Sequence, residues 1–225
     1  MVKLSIVILT RNRLDCLKDT IKCVKANVIN SYEIIVVNNN STDGTTEYLN
    51  SLNDVKSINL YENDGVWARN HGMKVAMGEF IAQIDDDVHV FPEWDSVMLE
   101  QFVDEKVIAV GQCSTNITGW MEWDSEGIRA GDYVDNVTGF CWMFRNKGFL
   151  YDKFFMKKSW HDETDLQLQM IKAGYKIRVC NTVCNHLSLR KGVNWEEHNE
   201  CQAYLINKWK PKWENKEFEL IGMPR

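Results

Sequence analysis

Four short apolar runs, each followed by a polar cluster and then a helical segment, constrain this chain more than any other feature. Leu4-Ser5-Ile6-Val7-Ile8-Leu9 is continuous and rich in β-branched residues, the pattern of a strand buried on both faces. Glu33-Ile34-Ile35-Val36-Val37, Ser57 to Leu60 and Phe80 to Ile84 repeat it. Between them, Leu14, Leu17, Ile21 and Val24 recur at helical spacing, so a helix is expected from Leu14 to about Ala26. Ser41 or Thr42 is expected to cap a second helix reaching about Leu52. A third is expected from Asp64 to about Met77, with Gly78 ending it. Strands alternating with helices at this spacing predict βαβ units and a mostly parallel sheet. In such sheets ligands lie beyond the carboxyl ends of the strands. The polar clusters after Leu9, Val37 and Ile84 all fall at that edge, which places a ligand site there.

The last of these clusters is Asp85-Asp86-Asp87. Three adjacent carboxylates at the end of a core strand repel one another, and a hard divalent cation such as Mg²⁺ or Mn²⁺ relieves the repulsion. Such an ion in turn attracts an anionic ligand, most naturally a diphosphate. A solvated turn with helix-capping acids is the plain alternative.

The second half is less regular. Helices are expected from Pro92 to about Val103, Asp162 to Ala173 and Asn194 to Lys208, the second stopped by Gly174. Strands are expected at Val107 to Val110, Val137 to Arg145 and Tyr175 to Cys184. Residues 112–135 read as a long polar loop, and Gly139 inside a strand suggests close backbone approach. The chain is expected to be one domain over residues 1–225, with 1–111 a nucleotide-binding half, 112–190 an acceptor and catalytic half, and 191–225 a C-terminal helix and tail.

Composition narrows the function by exclusion. With 225 residues, 44% hydrophobic, the chain can bury a sizeable core. A formal charge of -6 argues against a broad nucleic-acid footprint, which needs a basic face. Seven cysteines without a CxxC read as reduced thiols in a cytoplasmic protein, not as a zinc site or disulfide framework. No apolar window approaches the length of a membrane span, and no signal peptide is read. Trp209 and Trp213 among Lys208, Lys210 and Lys212 allow peripheral membrane contact, with packing on the domain the plainer reading.

Taken in order, these motifs resemble an inverting nucleotide-sugar glycosyltransferase of family 2, with the GT-A fold. The resemblance runs through Ser5 to Arg13, Val37 to Thr45, Asn63 to Gly72, Gly78 to Asp87, and Asp162-Glu163-Thr164-Asp165-Leu166 followed by Ala173-Gly174-Tyr175. It implies a mostly parallel sheet flanked by helices, with a smaller acceptor-side sheet in the C-terminal half. It also implies transfer of a sugar from a nucleoside diphosphate, expected to be UDP, to a hydroxyl of a saccharide or glycoconjugate, with Mn²⁺ or Mg²⁺ as cofactor. Asp87 with Asp85 and His186 would hold the metal. Thr10, Arg11, Asn39, Arg69, Asp85 and Asp86 would line the nucleotide pocket. Glu163 would be the general base and Asp162 its alternate. Three departures from the family pattern stand out: Asn39 where many relatives carry Asp, Arg11 where an aromatic is common, and an Asp-Glu order at 162 and 163 where Glu-Asp is usual. Trp120, Trp123 and Trp142 are placed for acceptor stacking or for packing, His161 for acceptor contact, and Gly139 for donor approach. His71, His89 and His198 read as surface or packing residues. Two other readings remain: a nucleotidyltransferase, disfavoured because Thr10 to Arg13 holds no glycine, and a sugar-nucleotide-binding module without catalysis.

Overall fold

The computed structural model describes residues 3–119, 122–158, 160–187 and 194–223. The four runs form β1 (Leu4–Thr10), β2 (Tyr32–Asn38), β3 (Val55–Asn59) and β4 (Phe80–Asp85), mutually parallel in the order β3-β2-β1-β4. Alternation of side chains along each strand builds two cores. Leu4, Ile6, Ile8, Ile34, Val36, Ala82 and Ile84 face one side, and Val7, Ile35, Val37 and Ile81 the other. Helix α1 (Leu14–Asn27) covers the first side with Leu17, Ile21 and Val24, each contributing roughly 1.5–3 kcal/mol by burial.

The polar clusters alter the local geometry. Helix α2 (Thr45–Asn50) has Gly44 as its N-cap, in the left-handed region at φ 89°. Neither Ser41 nor Thr42 caps it, because both are tied to Asn12 in the neighbouring loop. The expected 64–77 helix is shorter. Gly65, at φ 59°, opens a 3₁₀ turn (Gly65–Ala68), and α3 (Arg69–Lys74) follows. Gly78 does not end it. Its N–H donates to Ser5 Oγ at 2.8 Å, and a Cβ there would stand 2.5 Å from the Ser5 nitrogen, so close approach to β1 requires the glycine.

Beyond β4 the chain forms β5 (Val88–Val90) and α4 (Trp94–Leu99), a helix shorter than expected. Pro92 lies before it, and Glu93, at φ 61°, is its N-cap. Strand β6 (Val107–Gly111) follows. The expected loop at 112–135 instead carries three short strands: β7 (Ser114–Gly119), β8 (Glu122–Asp124) and β9 (Tyr133–Val134). The expected 137–145 strand divides at Thr138–Phe140 into β10 (Asn136–Val137) and β11 (Cys141–Arg145). Strands β10, β7 and β8 form the small second sheet, while β11, β6, β12 (Lys176–Val179) and β9 extend the large one. The 175–184 run thus splits, because β13 (Cys184–His186) leaves the large sheet to pair with β5. Helix α5 (Asp162–Lys172) packs Leu166 and Met170 into the second core. Helix α6 (Trp195–Glu214) is capped by Asn194 and continues past the expected end at Lys208 through Pro211, so part of the expected tail is helix. Trp209 is buried in it, which settles Trp209 as packing. Among the described residues no helix is long and apolar enough to cross a membrane.

Candidate active site

The carboxyl ends of β1, β2 and β4 open into a cleft of about 730 Å³. Its lining includes every residue assigned from the sequence to the metal, the nucleotide pocket or the base: Thr10, Arg11, Asn39, Arg69, Asp85, Asp86, Asp87, Asp162, Glu163 and His186. Parallel register explains the first of them, since Leu9 stands beside both Val37 and Asp85. His186 arrives by another route. The antiparallel pairing of β13 with β5 sets His186 opposite Val88, next to the acidic triplet.

The three aspartates have different partners. Asp85 pairs with Arg69. Asp86 accepts from Thr10 Oγ1 at 2.7 Å and pairs with Arg13 Nη1 at 2.9 Å. Asp87 pairs with Arg13 Nη2 at 2.7 Å and with His186 Nε2 at 3.2 Å. Burial works against the Asp87 carboxylate, but the bonds from His186 and Arg13 outweigh it and hold its pKa well below the usual range. Hydrogen bonding to Asp87 raises that of His186. Asp86 goes the other way. Burial raises its pKa to about 6 despite Thr10 and Arg13, and Asp85 and Asp87 add to the rise. Arg13 is not among the residues singled out from sequence, though it ends the first polar cluster; only the fold shows that it bridges two carboxylates.

The raised Asp86 pKa carries a stability consequence. Below the ordinary carboxylate value the group is protonated in both folded and unfolded chains and has no effect. As pH rises through about 6, the buried carboxylate becomes a cost of roughly 3 kcal/mol, fully expressed above that pH. Asp86→Asn, measured in EDTA, is therefore expected to raise the melting temperature at pH 7.5 and to lose this advantage near pH 4. Thermal unfolding of both proteins across that range checks it.

One oxygen each of Asp85 and Asp87 and a nitrogen of His186 lie within 4.8 Å of one another. Two carboxylates and one imidazole on this spacing fit a divalent cation. In this arrangement the His186 imidazole sits against the carboxylate charge that the ion would otherwise balance. Arg69 is buried, and its Nη1 has no hydrogen-bond partner among the described residues, which suits an anionic ligand in the same cleft.

Asn39 is more committed than expected. Its amide donates to Asn63 Oδ1 and the Gly65 carbonyl, and its Oδ1 accepts from Asp64 N–H. It braces the 63–65 turn and keeps only spare acceptor capacity for a ligand. Arg11 is exposed at the rim, where its guanidinium plane is open to stacking.

In the same cleft, Asp162 and Glu163 stand in the first turn of α5, whose N-cap His161 is left-handed at φ 59°. Asp162 is buried and Glu163 half-buried. Their carboxyls share a hydrogen bond, and burial raises both pKa values. For Asp162 the charge of Glu163 adds to the rise, and the two carboxyls titrate as a pair. Gly139 lines the cleft beside this pair, and a Cβ there would stand 3.1 Å from the Glu163 Cβ. Gly139→Ala is therefore expected to displace Glu163 and lower kcat by about tenfold while UDP affinity stays unchanged. Turnover and UDP titration on the same variant check this.

Trp142 is fully buried and donates to Gln83 Oε1 at 3.1 Å, so it packs and cannot stack on an acceptor. Trp120 lies outside the described residues, and of Trp123 only the backbone is described. His161 lines the cleft, and burial, then His198, lowers its pKa to about 4. His198 is more than a surface residue, because its Nε2 is 3.2 Å from that of His161.

Comparison with known proteins agrees with this fold. A Staphylococcus aureus TarS structure superposes at TM-score 0.65 with 16% identity, over 92% of this chain and 40% of that one. The mannosyltransferase PcManGT from Pyrobaculum calidifontis, solved with GDP-Man and Mn²⁺, superposes at 0.61 with 15% identity, over 80% and 56%. The fold is GT-A. The family model of Glycosyl transferase family 2 matches residues 5–165, and this chain belongs to that family. A Campylobacter jejuni protein named GalNAc(5)-diNAcBac-PP-undecaprenol beta-1,3-glucosyltransferase is 26% identical over 187 residues, covering 76% of this chain and 60% of that protein. The Escherichia coli protein WfaP, named as a UDP-Glc:alpha-D-GlcNAc-diphosphoundecaprenol beta-1,3-glucosyltransferase, is 32% identical over 90 residues, 39% of this chain and 36% of that one. The chain thus spans about 60% of the length of the first of these relatives and less of the second.

Proposed function

We propose that this protein transfers a sugar from a nucleoside diphosphate, UDP in the first instance, to a hydroxyl of a glycoconjugate, with inversion and with a divalent cation. The observation that carries the reading is one cleft lined by both the Asp85, Asp87 and His186 cluster and the Asp162–Glu163 pair. Asp85, Asp87 and His186 would hold the ion, and the single imidazole among carboxylates favours Mn²⁺. When bound, such an ion supplies charge neutralisation to a departing diphosphate.

The chain's own groups do the rest. Arg69 offers its unpartnered Nη1 to the diphosphate, and Thr10 with Arg13 fixes the triplet's orientation. Glu163 takes the acceptor hydroxyl proton as that oxygen bonds to the anomeric carbon, and the bond to diphosphate breaks on the opposite face. Asp162 stands beside Glu163 and shares its titration, so the pair holds one proton more readily than an isolated carboxylate. The Campylobacter and Escherichia relatives are named for undecaprenyl-diphosphate-linked acceptors. A lipid-linked saccharide is accordingly the acceptor we favour, met by peripheral contact at the cytoplasmic side of a membrane. All seven cysteines are free thiols, in keeping with a reducing compartment.

The test is thermal. UDP with Mn²⁺ at about a hundred times its Kd stabilises by about 2.7 kcal/mol, or roughly 5–10 °C for a chain of this length. EDTA is expected to abolish the shift, and UDP alone to give little of it. A shift with neither nucleotide nor metal dependence would overturn the reading.

A further inference from the structure

We propose that Lys208, with Trp209 beside it, is a positioning group for Glu163, so that the C-terminal helix is part of the transfer machinery. The inference rests on the function proposed above. The segment matched by the family ends at residue 165, and both residues lie beyond it on α6.

Asp165 is fully buried, and it stands in the same first turn of α5 as Glu163. Lys208 Nζ is 2.7 Å from Asp165 Oδ1, and Trp209 Nε1 donates to that oxygen at 2.7 Å. The same ammonium donates to Asp152 Oδ2 at 2.7 Å, where Tyr204 OH also donates at 2.8 Å. Asp152 caps the short 3₁₀ turn Lys153–Phe155 through Phe154 N–H. Its neighbour Tyr151 lines the cleft and is clasped through both backbone groups by Asn70, at 2.8 and 2.9 Å. Asn70 adjoins Arg69 in α3. Lys208 therefore joins two paths, one ending at Glu163 and the other at Arg69, both of which line the cleft.

Stability alone does not call for this bridge. A buried ion pair is often no more stable than well-packed apolar residues of the same volume. Leu205, Trp209, Leu168 and Phe218 already join α6 to α5 by apolar contact. Apolar contact leaves one helix free to slide along another at small cost. An ammonium held by two carboxylates fixes register, and with it the distance between the base and the donor-side arginine.

The experiment uses the full chain and four donors: UDP-glucose, UDP-galactose, UDP-N-acetylglucosamine and GDP-mannose. Metal-dependent release of nucleotide is measured first on the wild type, and the fastest donor is carried forward. Lys208→Met is expected to lower kcat by about tenfold or more, with donor KM and UDP affinity within about twofold of wild type. Lys208→Arg, which keeps the charge and both carboxylate partners, is expected to restore most of kcat. Unchanged kcat in folded Lys208→Met overturns the inference, as does parallel loss of kcat and UDP affinity, or failure of folded Lys208→Arg to restore turnover. If Lys208→Met does not fold, Trp209→Phe carries the same test. It removes one N–H donor and keeps the ring, and a fall in kcat at constant UDP affinity is expected; unchanged kcat overturns the inference. A wild type that turns over none of the donors overturns the proposed function itself, and the inference falls with it.

Discussion

Glu163→Gln is expected to abolish transfer while leaving UDP and Mn²⁺ binding intact. The amide keeps the size of the carboxylate and the contact with Gly139, but it cannot take a proton at neutral pH. Loss of a positioned general base costs roughly 10²–10⁴-fold in rate. Asp162→Asn is expected to be milder, because an amide can still donate the hydrogen bond that Glu163 accepts. That ordering separates the base from its alternate; equal losses, or a larger loss for Asp162→Asn, would reverse the assignment. The pH profile adds a second readout. Burial raises the pKa of Glu163, and a base must be ionised to act. Activity is therefore expected to fall as pH drops through a midpoint above the ordinary carboxylate range, a macroscopic value belonging to the pair. A binding module without catalysis would show no difference between Glu163→Gln and wild type in nucleotide release, and would keep the thermal shift.

The parts of this molecule legible from sequence are those where one local pattern has one physical solution. A β-branched run such as Leu4 to Leu9 has to be buried on both faces, and the parallel order of the first four strands follows from the helices between them. Three acids at the end of β4 point to positive charge beside them, and the fold brings Arg13, Arg69 and His186 there. Where several solutions compete, the sequence is silent or misleading. Residues 112–135 are polar enough for a loop, yet short strands satisfy their backbone groups in the small sheet and at the edge of the large one. Gly78 has the composition of a helix end, and its real constraint is the backbone of β1 pressing against it. Trp142 looks free to stack on a ligand until Gln83 is seen beneath it. Arg13 and Lys208 are the clearest cases. Each acts by reaching carboxylates more than forty residues away in the chain, a relation that periodicity cannot show.

Asp87→Ala is expected to remove the Mn²⁺-dependent thermal shift altogether, the largest binding effect of any single change in this cleft. Asp87 is buried, its pKa is held well below the usual range, and it meets both Arg13 and His186. Removing it takes one of three ligands and leaves the two cations without their shared counter-charge. Arg13 keeps Asp86 as a partner, so the fold is expected to survive. His186 loses the nearer of its carboxylates and keeps Asp85 only at 3.9 Å. The repulsion that a metal ion would relieve is then weaker, and so is the attraction for the ion. His186→Ala makes the instructive contrast. It removes the imidazole but leaves both carboxylates, so a hard ion can still bind with water in the vacant place. Mn²⁺ affinity is expected to fall without vanishing, by at least the roughly 10–100-fold typical of losing a group that merely supports a ligand. Calorimetric titration of Mn²⁺ in the presence of UDP distinguishes the two variants. Equal, wild-type affinity in both would place the ion elsewhere and dissolve the link between the acidic triplet and the departing diphosphate.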